Sequence, residues 1–194
     1  MGNRGILHDA DGHITRPWVL KRWIVCVLEF GGRKRTVMKP NSYTELFFLD
    51  EATALAAGHR PCAECRHSRF LEFGNAWNAA DSSVFGSRRA TADEIDNRLH
   101  AERVNTDRSK RTHPAPLEDL PDGTVVSFSA DDHSAWLVFK DAVFKWSPSG
   151  YVERQPRPRD LDVLLLTPPS TVAAIRAGYL PEIHASLNLV GAST

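Results

Sequence analysis

The chain has 194 residues, 42% hydrophobic and 25% charged, with a formal net charge of zero, enough for one sizeable core or two small ones in a soluble globular protein. Zero net charge excludes a polycation that coats nucleic acid by bulk charge, and no apolar run approaches the roughly 20 residues of a membrane span. Three cysteines are too few, and of the wrong parity, for a disulfide scaffold.

The first residues, Met1-Gly2-Asn3-Arg4-Gly5, lead into polar sequence rather than an apolar signal region, so a cytoplasmic protein without membrane partners is expected. Residues 1–40 hold eight Lys/Arg against Asp9, Asp11 and Glu29, an excess of +5. That asymmetry fits a phosphate-rich partner. It equally fits a solvated charged surface.

Along the chain, Trp23-Ile24-Val25-Cys26-Val27-Leu28 is a β-branched apolar run that predicts a strand covered on both faces, turned by Gly31-Gly32. Thr36-Val37-Met38 reads as a returning strand and Leu46-Phe47-Phe48-Leu49 as a third. A short Ala-rich helix follows from Asp50 and stops at Gly58. Pro61 suits a first helical turn, so Cys62 and Cys65 are expected to open a second helix through Phe70, Leu71, Phe73 and Trp77.

From Ala80 to Pro121 the sequence is polar and Arg-rich, interrupted by a helix of about 12 to 16 residues behind the capping box Thr91-Ala92-Asp93-Glu94, with Ile95 and Leu99 as its narrow apolar stripe. Thr112-His113-Pro114-Ala115-Pro116 reads as a break and Leu120 to Gly123 as a turn. Strands are then predicted at Thr124–Phe128, Ala135–Phe139, Val143–Trp146 and, beyond a Pro/Arg loop from Gln155 to Asp160, at Val163–Leu166. Ser170 can cap a final helix through Val172, Ile175 and Arg176, stopped by Gly178.

The segments Leu46–Pro61 and Leu164–Pro181 share an order of apolar strand, Ala-containing helix, Ala-Gly and Pro, which reads as common strand-to-helix grammar rather than duplication. The fold class expected is α+β: residues 1–79 as a small sheet-plus-helix unit, 80–121 as a helical, basic connection, and 122–194 as an antiparallel sheet with a closing helix.

The chemistry centres on Cys62-Ala63-Glu64-Cys65, whose two thiols can supply half of a tetrahedral zinc site, each sulfur about 2.3 Å from the metal. A redox dithiol is the other reading, but such pairs follow a strand and open a helix, whereas a helix precedes this one. Cys26 is a third ligand if its strand end reaches the turn, or else a small buried hydrophobe. His59, His67, His8 and His13 are the other candidate ligands, although His59 could serve only to complete the helix C-terminus.

A second constellation is His100-Ala101-Glu102-Arg103 within Arg88, Arg89, Arg108, Lys110, Arg111 and His113. His100, Glu102 and Arg103 are candidate catalytic residues. On a helix, residues two apart face nearly opposite ways, so Asp96 with His100 and Arg98 with Glu102 are the natural pairs. The alternatives are an ordinary solvated helix and an anion or phosphate site built by Arg103, His100 and the basic loop. Among the aromatics, Trp146 and Tyr151 bracket a turn where exposure is expected, as base-stacking side chains require.

The stretch Phe47-Phe48 through Glu51-Ala52-Thr53-Ala54-Leu55-Ala56-Ala57-Gly58-His59-Arg60-Pro61-Cys62-Ala63-Glu64-Cys65 resembles the end of the Ada-type metal-binding domain, the zinc module of bacterial DNA methyl-phosphotriester repair proteins. That family places an aromatic strand and an Ala-rich helix before Gly, an aromatic, Arg, Pro and a Cys-x-x-Cys pair. The resemblance implies a similar local fold, Cys62 and Cys65 as the second ligand pair, zinc as cofactor, and nucleic acid, DNA rather than RNA, as partner. The family's upstream Cys-x-x-x-Cys, which carries the methyl acceptor, has no counterpart between Gly31 and Asp50, so methyl transfer is not expected. The function expected is a zinc-binding, nucleic-acid-associated protein of DNA repair or modification. The alternative is an enzyme acting on a nucleotide or other phosphorylated substrate through the His100/Arg103 region or an open metal site.

Overall fold

The structure is a computed structural model describing residues 1–32, 36–81, 88–131 and 133–191. Its architecture is α+β: a small N-terminal sheet, a group of helices, and a six-stranded antiparallel sheet closed by helices. The N-terminal sheet has three two-residue strands in the order β1 (Gly2–Asn3), β2 (Ile24–Val25), β3 (Arg60–Pro61). β2 runs antiparallel to β1 and parallel to β3, with Ile24 opposite Arg60 and Val25 opposite Pro61.

The strands expected at 36–38 and 46–49 do not form. Val37 and Met38 lie in a turn, and Leu46 makes only an isolated bridge to Gly2 of β1. Phe47 is left 63% exposed. Arg33, Lys34 and Arg35, part of the basic excess, lie outside the described residues.

Helix α1 (Glu51–Ala56) follows its sequence signals closely. Asp50 Oδ1 accepts from the Thr53 backbone N–H at 2.8 Å, and Thr53 Oγ1 accepts from the Asp50 N–H at 3.1 Å, which satisfies two otherwise orphaned donors. Helix α2 is His67–Ala80 and begins after the cysteine pair, not at it. The Cys62 N–H is taken by the Val25 carbonyl at 3.0 Å, so the chain continues the β3 pairing one residue further and must turn before it can coil.

Helix α3 (Ala92–Arg103) carries Ile95 and Leu99 at full burial behind the expected capping box. The Pro-rich break instead forms β4 (His113–Pro116), followed by a 3₁₀ turn at Leu117–Asp119. β4 is an edge strand pairing only with β9, the position where prolines lacking an N–H are tolerated. The sheet order is β4-β9-β5-β6-β7-β8, with β5 at Val125–Ser127, β6 at Trp136–Phe139, β7 at Ala142–Ser147, β8 at Gly150–Pro156 and β9 at Asp162–Leu165.

β8 absorbs Gln155 and Pro156, which were expected in a loop, and buries Tyr151 to 3% exposure. Helix α4 (Pro169–Arg176) is flanked by Pro168 rather than capped by Ser170, and a further short helix, α5 (Ser186–Gly191), comes after it.

Three apolar clusters hold these layers together. Leu55, Phe73, Trp77, Ile95, Leu99, Ile175 and Tyr179 join α1, α2, α3 and α4. Leu117, Val126, Trp136, Val163 and Val172 fill the space between sheet and α4, and Ala52 and Ala56 of α1 pack with Val125, Leu137, Phe144 and Leu187. Each fully buried large side chain contributes about 1.5–3 kcal/mol. Among the described residues no helix is long and apolar enough to cross a membrane.

Candidate metal centre

Cys26 follows β2 and Cys62 follows β3. Because those strands are parallel and in register through Val25 and Pro61, the two thiols arrive side by side. The Cys26 N–H is held by the Met1 carbonyl at 2.7 Å and the Cys62 N–H by the Val25 carbonyl, so both backbones are pinned. The turn after Cys62, closed by the Arg66 N–H on the Cys62 carbonyl at 3.1 Å, returns Cys65 to the same place. The three sulfurs lie within 4.8 Å of one another. Sulfurs sharing a tetrahedral metal at about 2.3 Å stand roughly 3.8 Å apart, so the cluster is near enough to bind a metal ion.

Cys62 is buried, while Cys26 and Cys65 are half-buried. A hydrogen bond from the Cys26 thiol, aided by the backbone N–H groups of Cys65 and Glu64, favours the Cys62 thiolate and brings its pKa down to about 5 against the opposing effect of burial. The same bond, with burial and the neighbouring thiolate, pushes the Cys26 thiol well up. A divalent cation shared by the two sulfurs would take the place of that thiol–thiolate contact. The donor set fits a thiolate-preferring metal: three sulfurs, pinned backbones, and amide N–H groups aimed at one of them.

The histidines are placed elsewhere. His59 is fully buried, with Nε2 accepting from Arg4 Nε at 3.3 Å and its ring packed against Phe48 and Trp23; it is not a member of the thiol group. Burial, then Arg4 and Arg103, holds its pKa well below the ordinary histidine value. His8 Nδ1 meets Thr44 Oγ1 at 2.6 Å, and His67 Nδ1 meets the Ala63 carbonyl at 2.9 Å. His13 joins Asp9 and Asp11 in an exposed group whose Asp9 Oδ1 already accepts from the backbone N–H groups of Asp11 and His13.

On α3, His100 and Glu102 point apart. Glu102 faces α4, where its carboxylate accepts from the Ser170 N–H at 3.0 Å and from Ser170 Oγ, and from Arg98 Nε at 2.7 Å; it caps α4 from a neighbouring helix. His100 faces the other way, with its ring 4.6 Å from Trp18 in an edge contact, and burial followed by Arg103 and Lys21 lowers its pKa. Arg103, 1% exposed, donates to the carbonyls of Gly58 and Lys21 and lies over Trp23. Of the two pairs suggested one turn apart, Arg98–Glu102 forms, whereas Asp96 turns inward to a bidentate pair with Arg60 at 2.9 and 2.7 Å.

The side chain that sequence reasoning passed over is Arg4, which, with Lys110 of the basic loop already grouped with Arg103, meets Arg103 and Trp23 around one cavity. Arg4 comes from a separate segment and carries no local signal. Comparison with protein-family models, with curated proteins and with solved structures finds no match to this chain.

Proposed function

We propose that this protein is a zinc-binding, nucleic-acid-associated protein, with DNA favoured over RNA, in which Cys26, Cys62 and Cys65 hold one zinc ion. The observation that carries the reading is the convergence of three thiols from two parallel strand ends and one turn. Zinc suits three thiolates with no open redox demand. When bound, it would cross-link the N-terminal strand pair to the turn that leads into α2, contributing to folding as structural zinc sites do. Support for the nucleic-acid half comes from the basic excess of residues 1–40 and from the sequence likeness of residues 47–65 to the Ada-type zinc module. A role in DNA repair or modification follows from that likeness.

The test is elemental mass spectrometry on full-length, untagged, reduced protein, with cobalt substitution as a spectroscopic check on thiolate ligation. About one zinc per chain is expected, absent from C62S and strongly weakened in C26S, with a cobalt charge-transfer band that C26S diminishes. Metal-free protein under these conditions overturns the zinc assignment. The zinc-loaded protein is then titrated with duplex DNA and RNA of one sequence across a salt series. Tighter binding to DNA, weakening linearly in log salt, supports the partner, and no binding at low salt removes it.

A further inference from the structure

A cavity of about 360 Å³ opens beside the metal-binding sheet, lined by Arg4, Trp18, Trp23, Arg103, Arg108 and Lys110, with Ser109 at its loop side. It draws on the residue after β1, the segment before β2, the end of α1, the end of α3 and the loop after it. That loop is closed by the Val104–Lys110 bridge and by Arg111 N–H on the Arg103 carbonyl, so Arg108 and Lys110 are held back against α3. Its volume lies in the range of small-ligand sites.

Four cations line this space and no carboxylate does. Their anchors are neutral. Arg4 donates to Ala57 O and to His59, Arg103 to Gly58 O and Lys21 O, Arg108 to Trp18 O, and Lys110 Nζ to Ala56 O and Leu166 O at 2.8 and 2.7 Å. Among the described residues none of the four has an ion pair: Asp96 is engaged by Arg60, and Asp107 accepts from the N–H and hydroxyl of Ser109. Arg4 and Arg103 each place the guanidinium carbon 3.9 Å from the Trp23 ring centroid, and Arg108 lies 4.5 Å from that of Trp18.

Ring quadrupoles and carbonyl dipoles soften like-charge repulsion without neutralising it. Burial and mutual repulsion act on the acidities in the same direction. Burial brings Arg4 down to about 10 and, against the opposing field of Asp96, Arg103 to about 9, and the ammonium of Lys110, whose chain is otherwise open to solvent, falls to about 7 through the protein packed round it and the two guanidiniums. Donors also remain unspent: Arg103 Nε and Trp18 Nε1 are buried with no hydrogen-bond partner. Buried donors left unsatisfied are costly, and two of them on residues that line the cavity, beside four cations without an ion pair, call for an oxyanion.

We propose that this cavity binds a terminal phosphate group, the phosphomonoester dianion of a nucleotide or of a nucleic-acid end. Three terminal oxygens and two negative charges match four cations and the spare N–H groups better than the two oxygens of a carboxylate, and arginine forks suit phosphate geometry. Two guanidiniums already lie over Trp23, so the tryptophans orient the cations rather than stack a base. The site shares no residue with the thiol cluster and stands independently of zinc.

The experiment is isothermal titration of the full-length, zinc-loaded protein with inorganic phosphate, a nucleoside 5′-monophosphate, and a short single-stranded oligonucleotide with and without its 5′-phosphate. One phosphate per chain is expected, with affinity about tenfold or more weaker in K110M and reduced in R108Q, as loss of a charge-assisted contact predicts. K145M, on the far sheet, should match the parent. Circular dichroism of each variant checks the fold, and R108Q, on an exposed loop, carries the test if K110M does not fold. Preference for the 5′-phosphorylated oligonucleotide over the free monophosphate identifies a nucleic-acid end as the source, and the reverse identifies a nucleotide. Absence of phosphate binding in the parent, or equal affinity in parent and folded variants, overturns the proposal.

Discussion

Gly58 joins the helix that precedes the cysteine turn to the strand that presents it, at φ +83°, a left-handed backbone that side chains resist. Its carbonyl accepts from Arg103 Nη1 at 2.5 Å, and a Cβ there would overlap the Arg103 side chain. G58A should therefore destabilise the protein by about 1–3 kcal/mol in urea unfolding and weaken phosphate binding with it. Unchanged stability would show that α1 and β3 can meet in another geometry. The glycine was legible as a helix stop, and Cys62 with Cys65 as a ligand pair, because both signals are local. Cys26 depended on a parallel register that no spacing encodes. Arg103 and the basic loop with Lys110 could be grouped as a candidate anion site, but Arg4 and Trp18 become their neighbours only through tertiary packing.

Two helix starts were readable, at Asp50 and Thr91, whereas α2 starts after the cysteine pair rather than at it and α4 is flanked by Pro168 rather than capped by Ser170. Thr91 forms the reciprocal cap that its sequence announces, with Thr91 N–H donating to Glu94 Oε2 at 2.8 Å and Glu94 N–H to Thr91 Oγ1 at 3.3 Å, and Asp50 forms a second one with Thr53. Since α3 carries both Asp96 of the buried Arg60 pair and Arg103 of the cavity, T91A should cost about 1 kcal/mol of stability without altering zinc content. A calorimetric midpoint equal to the parent's would contradict this. Strands were read less well for a definite reason. Leu46 to Leu49 has strand composition, yet β1 offers two residues to pair with and the helix cap at Asp50 intervenes. Pro114 and Pro116 read as a break, yet an edge position lets both face away from the ladder. The α+β class and four of the six strands, β5, β6, β7 and β9, were nonetheless visible in the alternation of short β-branched runs and turns, whereas β8 was hidden in what read as a turn and a Pro/Arg loop.

At the scale of the whole molecule, the two residues that start α1 tie the metal-binding end to the C-terminal sheet and helices. Asp50 Oδ2 accepts from Tyr151 Oη at 2.7 Å and from the His184 N–H at 3.0 Å. Glu51, with a fully buried side chain, pairs with Arg66 at 3.5 Å and with Arg69, and accepts from the Glu182 N–H at 3.1 Å. Arg69 in turn donates to the Leu180 carbonyl and lies 4.5 Å from the Tyr179 ring centroid. None of these partners could be paired from sequence, since more than a hundred residues separate Glu51 from Glu182. Removing one member of a buried pair leaves the other charges uncompensated, which typically costs 3–5 kcal/mol. Arg66 and Arg69 keep the more exposed Glu182 and Glu72, so the lower end applies. E51A should lose about 3 kcal/mol in urea unfolding, and E51Q, which preserves the acceptor for Glu182, should lose less. Because the same contacts join both ends of the chain, tryptophan fluorescence and far-ultraviolet circular dichroism should report one shared transition in the parent protein. Separate transitions, with E51A shifting only one of them, would mean that the two ends fold independently and that Glu51 stabilises its own end alone.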